Sequence, residues 1–270
     1  MKTDTISIIM AVYNCAPTLR EAIDSIINQT YTNWEFIICD DCSTDNTLEI
    51  VREYEAKYPD KFKVIQNEKN SKLSYSLNHC LKYAEGEFIA RMDGDDISRP
   101  DRFEKQVKYL REHPDVDLVS TLVQRFEGDK LADIIKKPEF PDKYTQRCRV
   151  AFNHATIMTY KYVYDKCGGY TVSKRTVRSQ DYDLWFRFFY HGFKGVNMQE
   201  ALYLMREDMN AIKRRTVKVR FHAYRTTLKG FKLLKYPLRW YIKPTITFIV
   251  KSLTPNFIVY KYRQIQAKNK

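Results

Sequence analysis

Two periods of apolar residues alternate along the first half of the chain. Residues 5–11, TISIIMA, form a short apolar, β-branched run of the kind that lies inside a parallel sheet. Over residues 14–28 the period lengthens. Leu19, Ala22, Ile23, Ile26 and Ile27 recur at helical spacing and make one apolar stripe. Residues 34–39, WEFIIC, predict a second strand, and Leu48, Val51 and Tyr54 mark the inner face of a second helix that Ser43 or Thr44 can cap. The rhythm continues with a strand at 62–65, then a helix striped by Leu73, Leu77, Cys80, Leu81 and Ala84. A strand at 87–92, a helix with Phe103, Val107 and Leu110, and a strand at 117–123 follow. Strand alternating with helix predicts an α/β fold with a mostly parallel, Rossmann-like central sheet covered on both faces. Past residue 127 the pattern loosens. Gly168-Gly169-Tyr170 marks a turn, residues 182–190 (YDLWFRFFY) a compact aromatic helix, and from Met205 onward the chain is basic and amphipathic.

In open sheets of this type ligands bind beyond the carboxyl ends of the strands. Both acidic clusters fall there: Asp40-Asp41 after the second strand, and Asp93, Asp95 and Asp96 in IARMDGDD after the fourth. Carboxylates this close repel one another. A hard divalent cation relieves that repulsion, and Mg²⁺ characteristically takes one or two carboxylates together with substrate phosphates. Gly94 lets the backbone turn and approach a ligand closely. The alternative readings are a solvated acidic turn for the second cluster, and capping of the following helix for Asp40 and Asp41.

Charge and cysteine content narrow the classes. The net charge of +13 over 270 residues is unevenly placed. Residues 206–270 hold 17 Lys and Arg against 2 Asp and Glu, and the rest of the chain is nearly balanced. The six cysteines sit mostly in apolar surroundings and are read as reduced thiols. Cys39 and Cys42 form a C-x-x-C with no second pair to complete a zinc site, and the aspartates between them disfavour a redox thiolate. The start, MKTDTISIIMAVYN, lacks the basic opening and apolar stretch of a secretory signal. No window reaches the ~18 unbroken apolar residues of a spanning helix.

Four segments, SIIMAVYN, FIICDDCSTDNT, EFIARMDGDDISRPDRFEKQ and SQDYDLWFR, stand in the order found in family 2 glycosyltransferases. Over roughly residues 5–205 the chain resembles a bacterial, non-processive member of that family with the GT-A fold. The resemblance implies a catalytic domain over residues 1–205 and a basic amphipathic region over 206–270. It implies inverting transfer of a sugar from a nucleotide-diphosphate donor, a UDP-sugar first among them, to an acceptor hydroxyl. Carried over position by position, it places Ala11 and Tyr13 around the nucleoside and Asp40 on the uracil ring N–H. Asp93 and Asp95 become a D-x-D motif reaching ribose and metal (Mg²⁺ or Mn²⁺), with Asp96 as an alternative ligand. Asp181 becomes the general base. Arg91, His154, Gln180 and Trp185 are candidate contacts to donor or acceptor, although a lone His is as readily core and an aromatic stripe at helical spacing is more often core. These roles suit the chemistry. A cation stabilises a leaving diphosphate as a Lewis acid, and a carboxylate that takes the acceptor proton contributes ~10²–10⁴-fold. Asp183, two positions on, faces elsewhere on the helix and reads as structural, paired with Arg178 or Arg187.

The chain departs from its relatives twice. Gln180 stands where many carry Glu before the base, and an amide cannot ionise. Lys72 stands where a glycine is expected; it either reaches a phosphate or indicates a loop with no need of positive φ, and we take the second. The tail mixes cations with Phe, Tyr, Trp, Leu and Ile, as in FKLLKYPLRWYIKPTITFIVKS. That mixture suits an anionic membrane surface better than nucleic acid. Pro237, Pro244 and Pro255 break it into short pieces. The expected setting is the cytoplasmic face of a membrane, with a lipid-linked saccharide as acceptor for a surface polysaccharide. Two rivals stand beside this reading: a metal-dependent nucleotidyl or phosphoryl transferase, and a non-catalytic basic protein binding membrane or RNA.

Overall fold

A computed structural model describes residues 2–207 and 216–253. Strands and helices alternate through β1 (Lys2–Val12), α1 (Ala16–Ile27), β2 (Trp34–Asp40), α2 (Thr47–Lys57), β3 (Phe62–Gln66), α3 (Leu73–Leu81) and β4 (Gly86–Arg91). The second half adds β5 (Ile97–Ser98), α4 (Arg102–Glu112), β6 (Leu118–Glu127), β7 (Lys130–Ile135), α5 (Lys143–Cys148) and β8 (Met158–Tyr160). It continues with α6 (Lys161–Cys167), α7 (Gln180–Tyr190), β9 (Gly195–Arg206), α8 (Val217–Leu233) and α9 (Ile242–Leu253). The strands form one sheet in the order β3-β2-β1-β4-β8-β6-β9-β5, with β7 on β6. β1 pairs parallel with β2 and β4, β2 pairs parallel with β3, and β8 is antiparallel to both its neighbours.

The apolar runs follow from burial on both faces. Ile6, Ile8 and Met10 of β1 pack with Leu19, Ile23 and Ile26 of α1. Ile9, one residue out of phase, packs on the other face with Leu77 and Cys80 of α3. A strand covered on both sides has no polar face to show. Gly168 ends α6 at φ 70, a left-handed conformation that glycine adopts without strain, at the turn the sequence marks.

The expected cap of α2 is corrected. Asn46 precedes the helix, while the Ser43 hydroxyl accepts from the Asn14 N–H and the Thr44 N–H donates to Asn14 Oδ1. Those two residues tie the β2 loop to β1 rather than capping the helix. Neither Asp40 nor Asp41 caps it. The Lys72 reading is corrected too: its backbone lies at φ 72, ψ 162, the region that favours glycine, and the Asp41 carboxylate holds it there by accepting the Ser71 and Lys72 N–H groups at 2.7 and 2.8 Å.

In the tail, α8 docks on α7. Phe231 and Phe186 meet edge to face at 6.0 Å, and Gly230 lies so close that an added Cβ would stand 2.0 Å from the Phe186 ring. Pro244 does not break a helix as expected. It occupies the first turn of α9, where its missing N–H has no helical partner in any case. No helix among the described residues is long and apolar enough to cross a membrane. Residues 208–215 and the end of the tail from 254, including Pro255, lie outside the described residues.

Candidate functional site

Three parallel strands, β2, β1 and β4, end side by side at one edge of the sheet. Asp40 closes β2 opposite Val12 of β1, and Asp93 follows β4 directly. Two strand spacings, about 10 Å, separate them. Asp40 is fully buried. Its Oδ2 accepts the Ser43 N–H at 3.1 Å, and its Oδ1 has no hydrogen-bond partner. A buried carboxylate oxygen without a donor is costly. Ala11 lies one residue back on β1 and Tyr13 stands half exposed beyond it. Asp41, by contrast, is turned inward as the clamp of the loop before α3.

The acidic cluster divides into three different environments. Asp93 is held by Arg91, Nη1 to Oδ2 at 2.9 Å and Nη2 to Oδ1 at 2.5 Å, while its own N–H donates to the Tyr203 hydroxyl at 3.2 Å. Arg91 is 2 % exposed. Burial opposes its charge, yet Asp93 outweighs that, and the guanidinium sits above its ordinary pKa. Asp95 is exposed at the mouth; partial desolvation and then the Asp93 charge push its pKa up. Asp96, read from the sequence as an alternative metal ligand, is turned inward. It is 4 % exposed, and its Oδ1 accepts the Arg206 N–H at 2.9 Å because the pairing of β5 with β9 draws it in. Burial, then Asp93 and Asp95, raise its pKa strongly. No group of three or more His, Cys, Asp or Glu surrounds a single point among the described residues. Gly94 is needed for packing. A Cβ there would lie 3.1 Å from both Cys15 Sγ and Val12 Cγ1, and the Thr18 hydroxyl donates to its carbonyl.

The other wall comes from α7. Asp181 stands in its first turn, and burial raises its pKa against the lowering effects of the Tyr182 N–H, Arg91 and Lys137. Lys137 donates to the Val150 carbonyl at 2.6 Å, and desolvation takes its pKa down to about 8. Asp183 is structural, as its helical position suggested. It takes Arg175 at 2.6 Å, Arg187 at 3.1 Å and the Thr171 hydroxyl at 2.7 Å. Gln180 brings a buried Oε1 with no partner. His154 shares a hydrogen bond between Nε2 and the Tyr170 hydroxyl at 2.8 Å, and burial followed by the Arg91 charge keeps it neutral. Trp185 is corrected: at 1 % exposure, wedged edge-on against Phe152 at 5.1 Å, it is core and presents no face to a sugar.

Four residues escaped the sequence reading. Tyr203 and Arg206 reach the acidic cluster from β9, Arg102 approaches it from α4, and Lys137, in the segment after β7, acts on Asp181. Arg102 is fully buried and donates to the Arg91 carbonyl at 2.9 Å. No local motif marks any of them.

The family model for Glycosyl transferase family 2 matches residues 7–178. The chain belongs to glycosyltransferase family 2. EpsE of Bacillus subtilis (strain 168), named a glycosyltransferase, is 42% identical over 269 residues, 98% of this chain and 95% of its own. An Escherichia coli UDP-Gal:alpha-D-GlcNAc-diphosphoundecaprenol beta-1,3-galactosyltransferase is 29% identical over 97% of both chains. Among solved structures, the mannosyltransferase PcManGT of Pyrobaculum calidifontis, in complex with GDP-Man and Mn²⁺, superposes with a TM-score of 0.65 at 19% identity, over 97% of this chain and 80% of that one. The family 2 chain is thus a glycosyltransferase of GT-A fold. That sets aside the nucleotidyl-transfer and non-catalytic readings.

Proposed function

We propose that the protein transfers a hexosyl or N-acetylhexosaminyl group from a nucleotide-diphosphate sugar, a UDP-sugar first among them, to a hydroxyl of a lipid-linked saccharide, with inversion. The observation that carries this reading is the two-pronged pairing of the D-x-D carboxylate Asp93 with the buried Arg91 at the end of β4, with the separate acid Asp181 supplied by α7. A donor held on one side and a base held on the other is what attack opposite the leaving group requires. The E. coli relative, whose name gives a UDP-sugar and a diphosphoundecaprenol acceptor, supports donor and acceptor classes.

In this mechanism Ala11 and Tyr13 border the base of the nucleotide, and the partnerless Asp40 Oδ1 accepts its ring N–H. Arg91 holds Asp93 in place for the ribose. The residues present fit a divalent cation, Mg²⁺ or Mn²⁺. Asp95 opens outward among like charges, which suits a site completed by donor phosphates. Asp95, with Asp93 beside it, would hold the ion, which neutralises charge on the departing diphosphate. Asp181 Oδ takes the proton of the acceptor hydroxyl. Burial raises its pKa, which makes it a stronger base than an exposed aspartate, and the Arg91 and Lys137 charges oppose that rise. Gln180 supplies a hydrogen bond, not charge. The membrane setting rests on α9, whose Ile242, Ile246, Ile249 and Leu253 are exposed along one face in a chain otherwise rich in cations. Surface-polysaccharide synthesis is the corresponding role.

A panel of nucleotide-sugars, each with and without Mn²⁺, tests the donor site by thermal shift. One donor should raise Tm only with metal present, and Asp95→Asn should lose that rise. A rise of equal size in Asp95→Asn removes the cation from the proposal.

A further inference from the structure

Asp40 and Asp41 are neighbours at the end of β2 and are used in opposite ways. Asp40 keeps one buried oxygen without a partner, whereas both oxygens of Asp41 are taken. Asp41 is 4 % exposed. Its Oδ1 accepts from the Ser71 N–H at 2.7 Å and from Asn67 Nδ2 at 2.8 Å, and its Oδ2 accepts from the Lys72 N–H at 2.8 Å. All three donors belong to one loop, residues 67–72.

Asn67 joins this clamp to Asp40. Itself buried, it donates its N–H to the Asp40 carbonyl at 2.9 Å. Its Nδ2 donates also to the Ser76 hydroxyl at 2.9 Å, and its Oδ1 lies 2.9 Å from His79 Nδ1. Gln66, one residue earlier, pairs with Asp40 across the sheet and brings Nε2 to 3.5 Å from Asp40 Oδ2. The loop thus holds the Asp40 backbone and begins beside its carboxylate. It also carries strain. Lys72 lies at φ 72, ψ 162 with an exposed side chain, so the conformation is imposed through the backbone. A non-glycine residue persists there only where its surroundings over-determine it, and such strain serves pre-organisation at binding sites.

We infer that Asp41 is a positioning residue for the nucleotide. It clamps residues 67–72 in the arrangement that holds the end of β2, and with it Asp40 Oδ1, ready for the base. The inference rests on the nucleotide-sugar reading and adds to it a residue that never touches the donor. An amide cannot replace this carboxylate. Asn offers a single acceptor oxygen, and its NH₂ would face a backbone N–H.

UDP with Mn²⁺ is the probe, titrated calorimetrically well below the melting temperature, where a purely structural defect leaves affinity unchanged. Asp41→Asn should weaken UDP binding about tenfold. Adding Lys72→Gly removes the strain that the clamp opposes and should return affinity to within about threefold of wild type. Lys72→Val puts a β-branched side chain at the same φ and should weaken UDP about threefold, which decides the matter if Asp41→Asn does not fold. Gly230→Ala, destabilising at the contact of α8 with α7, should bind UDP as wild type does. Wild-type affinity in Asp41→Asn or in Lys72→Val overturns the assignment, as does no recovery in Asp41→Asn/Lys72→Gly. So does a loss in Gly230→Ala as large as that in Asp41→Asn, since affinity then merely follows stability. Each of these results leaves the donor reading standing, because wild type still binds UDP. A wild type that binds no UDP sinks that reading and the inference with it.

Discussion

Asp181 and Asp183 stand two residues apart on α7, and neutralising them should have opposite consequences. The Asp183 carboxylate is buried and shared between Arg175 at 2.6 Å and Arg187 at 3.1 Å. Asn in its place keeps the shape but leaves two guanidinium groups facing a neutral amide. Removing one partner of a buried pair costs ~3–5 kcal/mol. Both arginines keep some solvent contact, so Asp183→Asn should sit at the low end, ~3 kcal/mol, or a fall in Tm of about 6–12 °C. Asp181 has no arginine of its own; Arg91 and Lys137 act on it through space. Because burial raises its folded pKa, the native state holds more protons than the unfolded chain between the two values, and stability falls as pH rises through that window. Above the window the charge is a net cost to folding, so Asp181→Asn should leave Tm at pH 7.5 unchanged or higher. Its kcat should nevertheless fall ~10²–10⁴-fold, equivalent to ~3–5 kcal/mol of barrier. The assay is release of nucleoside diphosphate in the presence of acceptor, with thermal melts of both variants with and without donor. A kcat within tenfold of wild type for Asp181→Asn, or a melting loss as large as that of Asp183→Asn, refutes the assignment of the base.

Lys137→Met should move the acid limb of the kcat/KM profile to higher pH, because the positive charge that lowers the Asp181 pKa is gone; an unmoved limb means that Lys137 does not act on the base. Lys72→Gly should raise the urea midpoint by the equivalent of ~1 kcal/mol, since glycine adopts φ 72 without strain. A lower midpoint would show that the lysine side chain contributes more than the strain costs. Gly230→Ala should lose ~1–3 kcal/mol in urea denaturation by driving a methyl into the Phe186 ring, and an unaltered midpoint would mean that α8 is not seated on α7 as described.

The first half of the fold was legible because its physics is local. A parallel strand buried on both faces must be apolar throughout, and each covering helix must show one stripe, so β1 to β4 and α1 to α3 each left a clear mark. The second half offers no such pattern. β8 has three residues, too few for any period, and β9 runs through Asn197, Gln199 and Glu200 with two register shifts against β6. The site divides along the same line. Asp40, Asp93 and Asp95 were found because they end strands that could be read. Arg206 and Tyr203 were missed because only the pairing of β9 with β5 and β6 brings them to a cluster 110 residues earlier. Lys72 was misread for a related reason: the conformation is imposed by Asp41, 31 positions before it, and not by the residue that adopts it.

Arg91 explains why these parts function as one site. A guanidinium cannot give up its proton, so a permanent positive charge lies almost fully buried beside Asp93. Asp93 satisfies it directly through a two-pronged pair, while its NεH remains without a partner. The same charge lowers Asp181 against the effect of burial and discourages protonation of His154. The Nε2 of His154 is already occupied by Tyr170, whose hydroxyl in turn meets that of Tyr164 at 2.6 Å. One buried cation thus pairs with Asp93, opposes the upward shift of the acid on α7, and disfavours a charged imidazole at His154. On the proposed reading the proton acceptor is then Asp181, the carboxylate whose pKa burial raises and the same cation lowers.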